Sequence, residues 1–202
     1  MKFQLLVLLS VLCLTTAWGQ SKAPKMKSIF NGKTFKNWEV PENNIWWTIH
    51  DGILSTKNGP DKKGSILWTK KQYKDFVVQL DFKFGDGTID TGIFMRGDGE
   101  DAPQIQIGES GSLKRDMTGS PYVPKKGYPV EAEGVKELLK MDDWNTIKAQ
   151  AVGNVYTVWL NGKKVMTYTM EGAKLEGPIG LQLHPGREMA VDFRNISVAK
   201  LK

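Results

Sequence analysis

The clearest pattern along the chain is a strict alternation of apolar and other positions over residues 76–84. The apolar positions are Phe76, Val78, Leu80, Phe82 and Phe84, and the residues between them are Val77, Gln79, Asp81 and Lys83. In a β-strand, successive side chains point to opposite faces, so period-two alternation indicates a strand with one buried face. The pattern therefore predicts a strand whose five apolar side chains lie in a core.

Similar short runs recur along the chain and predict a fold made almost entirely of strands. They lie at residues 46–49, 52–56, 65–69, 91–96, 104–107, 145–152, 155–160, 163–168, 179–184 and 189–200. The two-residue turns Gly153-Asn154 and Asn161-Gly162 tolerate the positive φ of tight hairpins, so they predict an antiparallel meander over residues 145–168. Many short strands and few helical periods indicate a sandwich or barrel.

One long stretch, from Gly108 to Met141, interrupts the series of strands. Gly and Pro punctuate it, and we expect a short helix at residues 130–140. Long connections in compact domains are often functional. We therefore expect this stretch to form a wall or lid over a site, using its cationic and aromatic side chains Arg115, Tyr122, Lys125, Lys126 and Tyr128.

The N-terminal residues have the pattern of a secretory signal peptide over residues 1–19. Lys2 provides the positive start, Leu5 to Leu14 the apolar run, and Ala17-Trp18-Gly19 the small residues at the cleavage position. The run of about ten residues is shorter than the roughly 20 that a membrane-spanning helix needs, so no stable membrane anchor is expected. We expect an exported protein, periplasmic or extracellular, with a flexible leader over residues 20–28 and one domain over residues 29–202.

Composition and charge exclude several classes of protein. The only cysteine, Cys13, lies in the apolar run, so the mature domain would have neither disulfides nor thiolate ligands. The net charge of +6 is spread in short pairs such as Lys62-Lys63 and Lys125-Lys126. Nucleic-acid readers usually show a basic stripe instead, so no nucleic-acid partner is expected. Nor does the chain contain a nucleophile elbow, a P-loop, a dinucleotide-binding turn or a zinc-binding helix.

Strand parity places several planar polar side chains on shared faces. Gln182 and His184 alternate with apolar residues, as do Gln104 and Gln106, and Arg96 has the parity of Phe94. If these strands share one sheet, its outer face carries groups that bind sugar hydroxyls beside aromatic surface. The alternative is a polar outer face that simply contacts water.

The two histidines and one acidic run are the other candidates for chemistry. His184 ends its strand before Pro185-Gly186, where a neutral imidazole could accept a proton near pH 7. His50 lies in a hairpin, and we expect its role to be structural. The acidic run at residues 97–101 could hold a divalent cation, but it lacks the EF-hand spacing, so a solvated turn is expected.

Eight short motifs occur in the order and spacing of a known family. They are Ile29-Phe30-Asn31-Gly32-Lys33 with Trp38, Trp47 to Leu54 with Asp51-Gly52, Tyr73-Lys74-Asp75-Phe76, Thr91-Gly92-Ile93-Phe94-Met95-Arg96-Gly97, Asp143-Trp144-Asn145, Trp159-Leu160-Asn161-Gly162, Gly180-Leu181-Gln182-Leu183-His184 and Phe193-Arg194-Asn195-Ile196. In these motifs the chain resembles the 3-keto-disaccharide hydrolase family, from about Ile29 to Leu201.

The resemblance implies an all-β fold, a two-sheet antiparallel jelly-roll sandwich of concanavalin A-like architecture, with a carbohydrate site on its concave face. It also implies cleavage of glycosides that are already oxidised at the sugar C3, through a 1,2-lyase or a subsequent hydratase step. A C3 ketone acidifies the C2 proton, so a base can form an enolate that expels the C1 oxygen.

Such a site needs a base and a group that stabilises the enolate. The resemblance implies acid or base roles for His184, Glu109 and Asp90, and oxyanion stabilisation by Arg96, with a divalent metal as a further option. Gln104, Gln106, Gln182 and Tyr122 would bind substrate hydroxyls. Family members commonly have a Glu where Gln104 stands, and Gln cannot act as a base.

Three functions are therefore open from the sequence. In the first, the chain is an enzyme acting on 3-keto-glycosides, with Glu109 in place of the missing base or with a different chemistry. In the second, it only binds sugar as a lectin-like module. The third is a conventional glycoside hydrolase or structural domain, and conventional hydrolysis would need two carboxyl groups about 5 to 10 Å apart across a cleft.

Overall fold

The computed structural model describes residues 23–97, 99 and 102–201. The predicted signal peptide lies outside the described residues, as do the three acidic side chains of the 97–101 run. In the described part, short strands account for almost all regular structure. They are β1 (Lys27–Ser28), β2 (Trp38–Glu39), β3 (Trp47–His50), β4 (Ile53–Lys57), β5 (Ser65–Tyr73), β6 (Phe76–Gly87), β7 (Asp90–Met95), β8 (Gln104–Gly108), β9 (Pro121–Tyr122), β10 (Asn145–Val152), β11 (Val155–Leu160), β12 (Lys163–Thr169), β13 (Gly177–Leu183) and β14 (Met189–Lys200).

The strands form two antiparallel sheets, which confirms the predicted sandwich. The larger sheet has the order β12-β11-β10-β6-β14-β4-β3, with β1 also paired to β14. The smaller sheet has the order β2-β5-β13-β7-β8-β9. The predicted meander is confirmed, because β10 pairs with β11 from Val152 and Val155 outward, and β11 pairs with β12.

The core lies between the two sheets and follows the alternation seen in the sequence. Four of the five predicted side chains in β6 are fully buried: Phe76, Val78, Leu80 and Phe82. They pack in one cluster with inward residues of the smaller sheet, which include Leu67, Ile93, Ile105 and Leu181. Burial of such a side chain contributes about 1.5–3 kcal/mol, so this layer holds the sheets together.

Three details differ from the sequence-based expectations. Phe84 is only partly buried, because β6 continues past the core to exposed residues 85–87. The domain begins before the predicted boundary at Ile29, since Lys27 and Ser28 pair with β14. The predicted helix shrinks to one turn, α1 (Val135–Leu138), because Gly134 before it takes a left-handed φ of 65°. In the described part of the chain, no helix has the length and apolar character needed to cross a membrane.

Candidate functional site

A cleft with a volume of about 1100 Å³ lies on the outer face of the smaller sheet. Antiparallel pairing arranges its floor in rows that run across the strands. The first row contains Trp68, Gly180, Phe94, Gln104 and Tyr122. The second contains Ile66, Gln182, Gly92 and Gln106, and continuing the same register brings His184 beside Asp90 in the third. The structure therefore places Gln104, Gln106 and Gln182 on the same face as His184, as their strand parity predicts.

Asp90 is the buried charge at the third row of the cleft. Its Oδ1 accepts a hydrogen bond from Gln106 Nε2 at 2.8 Å. Its Oδ2 lies 3.1 Å from Arg187 Nε and 4.0 Å from His184 Nε2. Only 4% of its side chain is exposed. Oδ1 has its hydrogen bond from Gln106, whereas Oδ2 lies beside the Arg187 charge but accepts no hydrogen bond from the described residues. Asp90 is thus fixed in place and faces two groups that can carry positive charge.

His184 has the geometry of a proton acceptor. Its Nδ1 lies 2.7 Å from the carbonyl oxygen of Pro185. A carbonyl oxygen can only accept, so this hydrogen bond assigns the proton to Nδ1 and leaves the lone pair of the neutral ring on Nε2. About a third of the side chain is exposed, and the residue lines the cleft. Nε2 can therefore take a proton from a molecule bound there.

Arg187 is a site residue that the sequence analysis missed. Its Nε lies beside Asp90, and its Nη1 donates to Glu109 Oε1 at 3.3 Å. The turn at Pro185 and Gly186, where φ is 75°, brings Arg187 back next to His184. The sequence does show that a turn directly follows the outward-facing end of β13. It does not show that the Arg187 side chain returns to the site, because the alternation of a strand stops at a turn.

Glu109 has the role of an ion-pair partner in this arrangement. Its carboxylate is held by Arg187, and its backbone oxygen accepts from Gln106 Nε2 at 3.2 Å. Glu109 is not among the residues that line the cleft, whereas its neighbours Ser110 and Gly111 are. The structure therefore brings Glu109 to the edge of the site, behind Arg187.

Two tyrosines from the long connection complete the wall of the cleft. Tyr122 and Tyr128 both line it, and their ring centroids lie 5.2 Å apart. Burial raises the pKa of Tyr128 to about 12, and the nearby Asp90 carboxylate adds to the shift. The Tyr128 phenol therefore stays protonated at neutral pH and serves as a hydrogen-bond donor.

The expectation of a wall from residues 108–141 is thus correct in part. Besides the tyrosines, Ser112 and Lys114 from this stretch line the cleft. Arg115 instead pairs with Glu131 at the surface, and Lys126 donates to Tyr168 Oη at 3.2 Å. The cationic side chains named in the sequence analysis therefore belong mostly to the outer surface of the connection.

The glutamine side chains leave acceptors without protein partners. Gln104 Oε1 and Gln182 Oε1 are buried and make no hydrogen bond to the described residues. Gln104 Nε2 is 3.5 Å from Gln106 Oε1, so the two amides lie against each other. An unsatisfied buried acceptor costs about 1–3 kcal/mol, so rotation of either amide toward a hydroxyl donor in the cleft would relieve that cost.

The predicted placement of Arg96 in this site is wrong. Its side chain is fully buried and donates to the backbone oxygens of Lys74, Gly153 and Lys174, and it pairs with Asp75 at 2.8 Å. The reason is local: β7 ends at Met95, and Arg96 takes a φ of 57°, which breaks the strand alternation. Arg96 ties together connections at the end of the sandwich and does not line the cleft.

The remaining candidates from the sequence, His50 and a metal site, are not part of the cleft. His50 Nε2 lies 2.8 Å from Ser55 Oγ on an exposed part of the larger sheet. Among residues 23–97, 99 and 102–201, no three carboxylate, imidazole or thiol side chains are grouped so that they could hold a metal ion. Beside Asp90, the cationic position is taken by Arg187.

Comparison with known proteins gives one family match and several structural likenesses. The family model of a 3-keto-alpha-glucoside-1,2-lyase-like domain matches residues 25–199. No curated protein sequence matches the chain. A crystal structure of a candidate glycosyl hydrolase from Parabacteroides distasonis has a TM-score of 0.67 and 23% identity, and the match covers 88% of this chain and 100% of that one.

Two sugar-binding proteins share the fold at lower identity. The carbohydrate-binding module CBM66 from Bacillus subtilis has a TM-score of 0.54 and 13% identity, covering 81% of this chain and 96% of the module. The Emp47p carbohydrate recognition domain has a TM-score of 0.58 and 16% identity, and the match covers 89% of this chain and 99% of that domain. At these identities the likeness concerns the fold alone, and this jelly-roll-like fold serves both candidate hydrolases and sugar binders.

Proposed function

The chain belongs to the 3-keto-alpha-glucoside-1,2-lyase-like domain family, and on that premise we propose that it cleaves glycosides oxidised at C3 by a 1,2-elimination. The proposal rests mainly on the position of His184 Nε2. Its lone pair lies in the cleft, 4.0 Å from the buried Asp90 carboxylate. A base beside a fixed negative charge can accept a proton and hold it as a stabilised imidazolium.

The reaction would begin with transfer of the C2 proton to His184 Nε2. The C3 ketone accepts the electron pair of the broken C2–H bond, and an enolate forms with its charge on the C3 oxygen. The enolate then collapses to a C1=C2 double bond, and the C1–O bond breaks with its electron pair on the leaving oxygen. Return of the proton from the imidazolium gives a free alcohol and a 1,2-unsaturated 3-keto sugar.

Neighbouring side chains would stabilise the charges that develop in these steps. Asp90 lies beside the imidazolium, and Arg187 balances the Asp90 charge when His184 is neutral. The protonated Tyr128 phenol can donate a hydrogen bond to the enolate oxygen. Fixed donors and charges in a site with little water are effective because they need no reorganisation during the reaction.

Glu109 fits the role of base less well than His184. Its carboxylate already accepts from Arg187, and it does not line the cleft. Gln104, at the position where family members commonly have Glu, is neutral and can only bind. Asp90 also lines the cleft, but its carboxylate is held by Gln106 and Arg187, which leaves His184 as the group best suited to remove a proton.

A sugar-binding module without catalysis is the second candidate function. It is favoured by the neutral Gln104 and by the unpartnered acceptors of Gln104 and Gln182, which fit hydroxyl groups of a sugar that need not be oxidised. On this alternative the cleft would bind unoxidised sugars and their 3-keto forms alike, with no product formed from either.

The test is turnover of 3-keto-glucosides and their unoxidised parents by the purified protein and by His184→Ala and His184→Gln. A general acid or base typically contributes about 10² to 10⁴ in rate, so both variants should lose at least two orders of magnitude in kcat. His50→Ala is the matched control, because it removes the other histidine from an exposed position outside the cleft.

Circular dichroism and the thermal midpoint would show whether each variant is folded. Wild-type turnover by a folded His184→Ala variant would overturn the assignment of the base. If the wild-type protein binds unoxidised sugars and turns over no keto-glycoside, the module is the correct function.

A further inference from the structure

One end of the cleft is built around the indole of Trp68. Trp68 pairs with Gly180 across the strands, and its Cζ3 lies 2.5 Å from where a Cβ at Gly180 would be. Its Cη2 lies 3.2 Å from the corresponding position at Gly97. Because neither glycine has a side chain, the indole can lie over β13, and it also packs against Phe94 with ring centroids 5.2 Å apart.

The indole is partly exposed and lines the cleft. A Cβ at Gly180 would also lie 2.6 Å from Trp68 Cε3. Cε3 and Cζ3 are both carbons of the benzene part of the indole. This contact seats the ring against the strand. The result is a fixed planar apolar surface in the first row of the cleft floor.

The distance between this surface and His184 is set by strand geometry. Gly180 and His184 are four residues apart along the strand, which at roughly 3.3 Å per residue is about 13 Å. A single pyranose ring cannot contact both ends of this interval. Two linked rings can, with Gln182 between them in the second row.

We propose that Trp68 forms the floor of a second subsite that binds the leaving group of the substrate when that group is a pyranose ring. This rests on the proposed function, which puts the reacting ring at His184. The C–H face of a pyranose packs against aromatic carbon, while its hydroxyls need polar partners at the edge. Gln182, two residues along β13 from Gly180, lies close enough to supply such a partner.

The test compares two substrates with the same reacting ring, a 3-keto-disaccharide and methyl 3-keto-glucoside. In Trp68→Ala, KM for the disaccharide should rise roughly threefold to tenfold with kcat unchanged, which is the range expected for one aromatic contact. KM for the methyl glycoside should not change, because its leaving group does not reach Trp68.

Trp159→Ala is the matched control. Trp159 lies in β11 of the larger sheet, under Lys148 Nζ at 4.2 Å from the ring centroid, and it does not line the cleft. Trp68→Phe keeps a planar ring, so it can replace Trp68→Ala in the test if the alanine variant does not fold. Its KM for the disaccharide should rise by less than that of the alanine variant.

An equal change in KM for both substrates, or no change for the disaccharide, would overturn the subsite. If the wild-type protein turns over neither keto-sugar, the proposed function has failed, and calorimetric binding of the unoxidised disaccharide and of methyl glucoside decides the subsite separately. Trp68→Ala must then weaken binding of the disaccharide by the same roughly threefold to tenfold and leave binding of methyl glucoside unchanged.

Discussion

Arg96→Met should destabilise the fold strongly while leaving the cleft chemistry intact. The guanidinium donates to Lys74 O at 2.6 Å, to Lys174 O at 3.3 Å and to Gly153 O, and it pairs with Asp75. These partners belong to three connections: the turn between β5 and β6, the hairpin between β10 and β11, and the segment leading to β13. Methionine keeps the apolar stem and removes every donor.

The size of the effect follows from the groups that are left without partners. Removing one partner of a buried ion pair costs about 3–5 kcal/mol. Asp75 is 25% exposed and keeps a hydrogen bond from Gly153 N at 2.8 Å, so water can partly replace the lost charge there. The three carbonyl oxygens accept from a guanidinium that is itself fully buried, and a buried acceptor left unsatisfied costs about 1–3 kcal/mol. We therefore expect a loss of about 3–5 kcal/mol in the free energy of unfolding.

Urea denaturation followed by circular dichroism measures this loss directly. At about 2–4 °C per kcal/mol for a domain of this size, the thermal midpoint should fall by roughly 6–20 °C. Arg115→Met is the matched control, because its pair with Glu131 is half exposed and should contribute little. Below its midpoint, Arg96→Met should keep wild-type turnover of a 3-keto-glycoside.

Two results would contradict this account of Arg96. One is an unchanged urea midpoint, which would mean that the buried hydrogen bonds contribute nothing net. The other is loss of turnover in a variant that unfolds like the wild type, which would return Arg96 to the catalytic site.

Two further predictions concern carboxylates near the long connection. Burial raises the pKa of Asp116, so folding favours its protonated form and the wild type loses stability as the pH rises through that pKa. Asp116→Asn should therefore be more stable than the wild type at pH 7 and equal to it at about pH 2–3, as thermal midpoints across pH would show; a constant difference would disprove the titration. Glu109→Gln should keep turnover within about tenfold of wild type, well short of the loss expected for a general base. A greater loss there than in His184→Gln would exchange their roles.

The strands and the main part of the cleft floor were predictable because both depend on period-two alternation. The apolar residues of β6 identify a buried face, and the parity of Gln104, Gln106, Gln182 and His184 identifies the outer face of the smaller sheet. Parity alone does not say which strands are neighbours, so the family resemblance was needed to bring them together.

The errors occur where alternation stops. Arg96 follows the last residue of β7 with a left-handed φ, so its side chain leaves the face that its sequence position predicts. Arg187, which the sequence did not predict in the site, reaches Asp90 through a turn whose path depends on tertiary contacts. The short α1 has the same origin, because Gly134 takes a left-handed φ inside the predicted range and the chain becomes extended at Leu139, so only Val135–Leu138 is helical.

The order of strands in the two sheets has a consequence for how the chain folds. β14 lies between β6 and β4 in the larger sheet, and β13 lies between β5 and β7 in the smaller one. Both sheets therefore receive an interior strand from the last part of the chain, and pairings of such long sequence separation slow folding to the millisecond-to-second range. Until Gly177–Lys200 docks, the flanking strands have open edges that can pair with other chains. The amides of β6 that bond to β14, and those of β7 that bond to β13, should accordingly gain protection from hydrogen exchange in one late step.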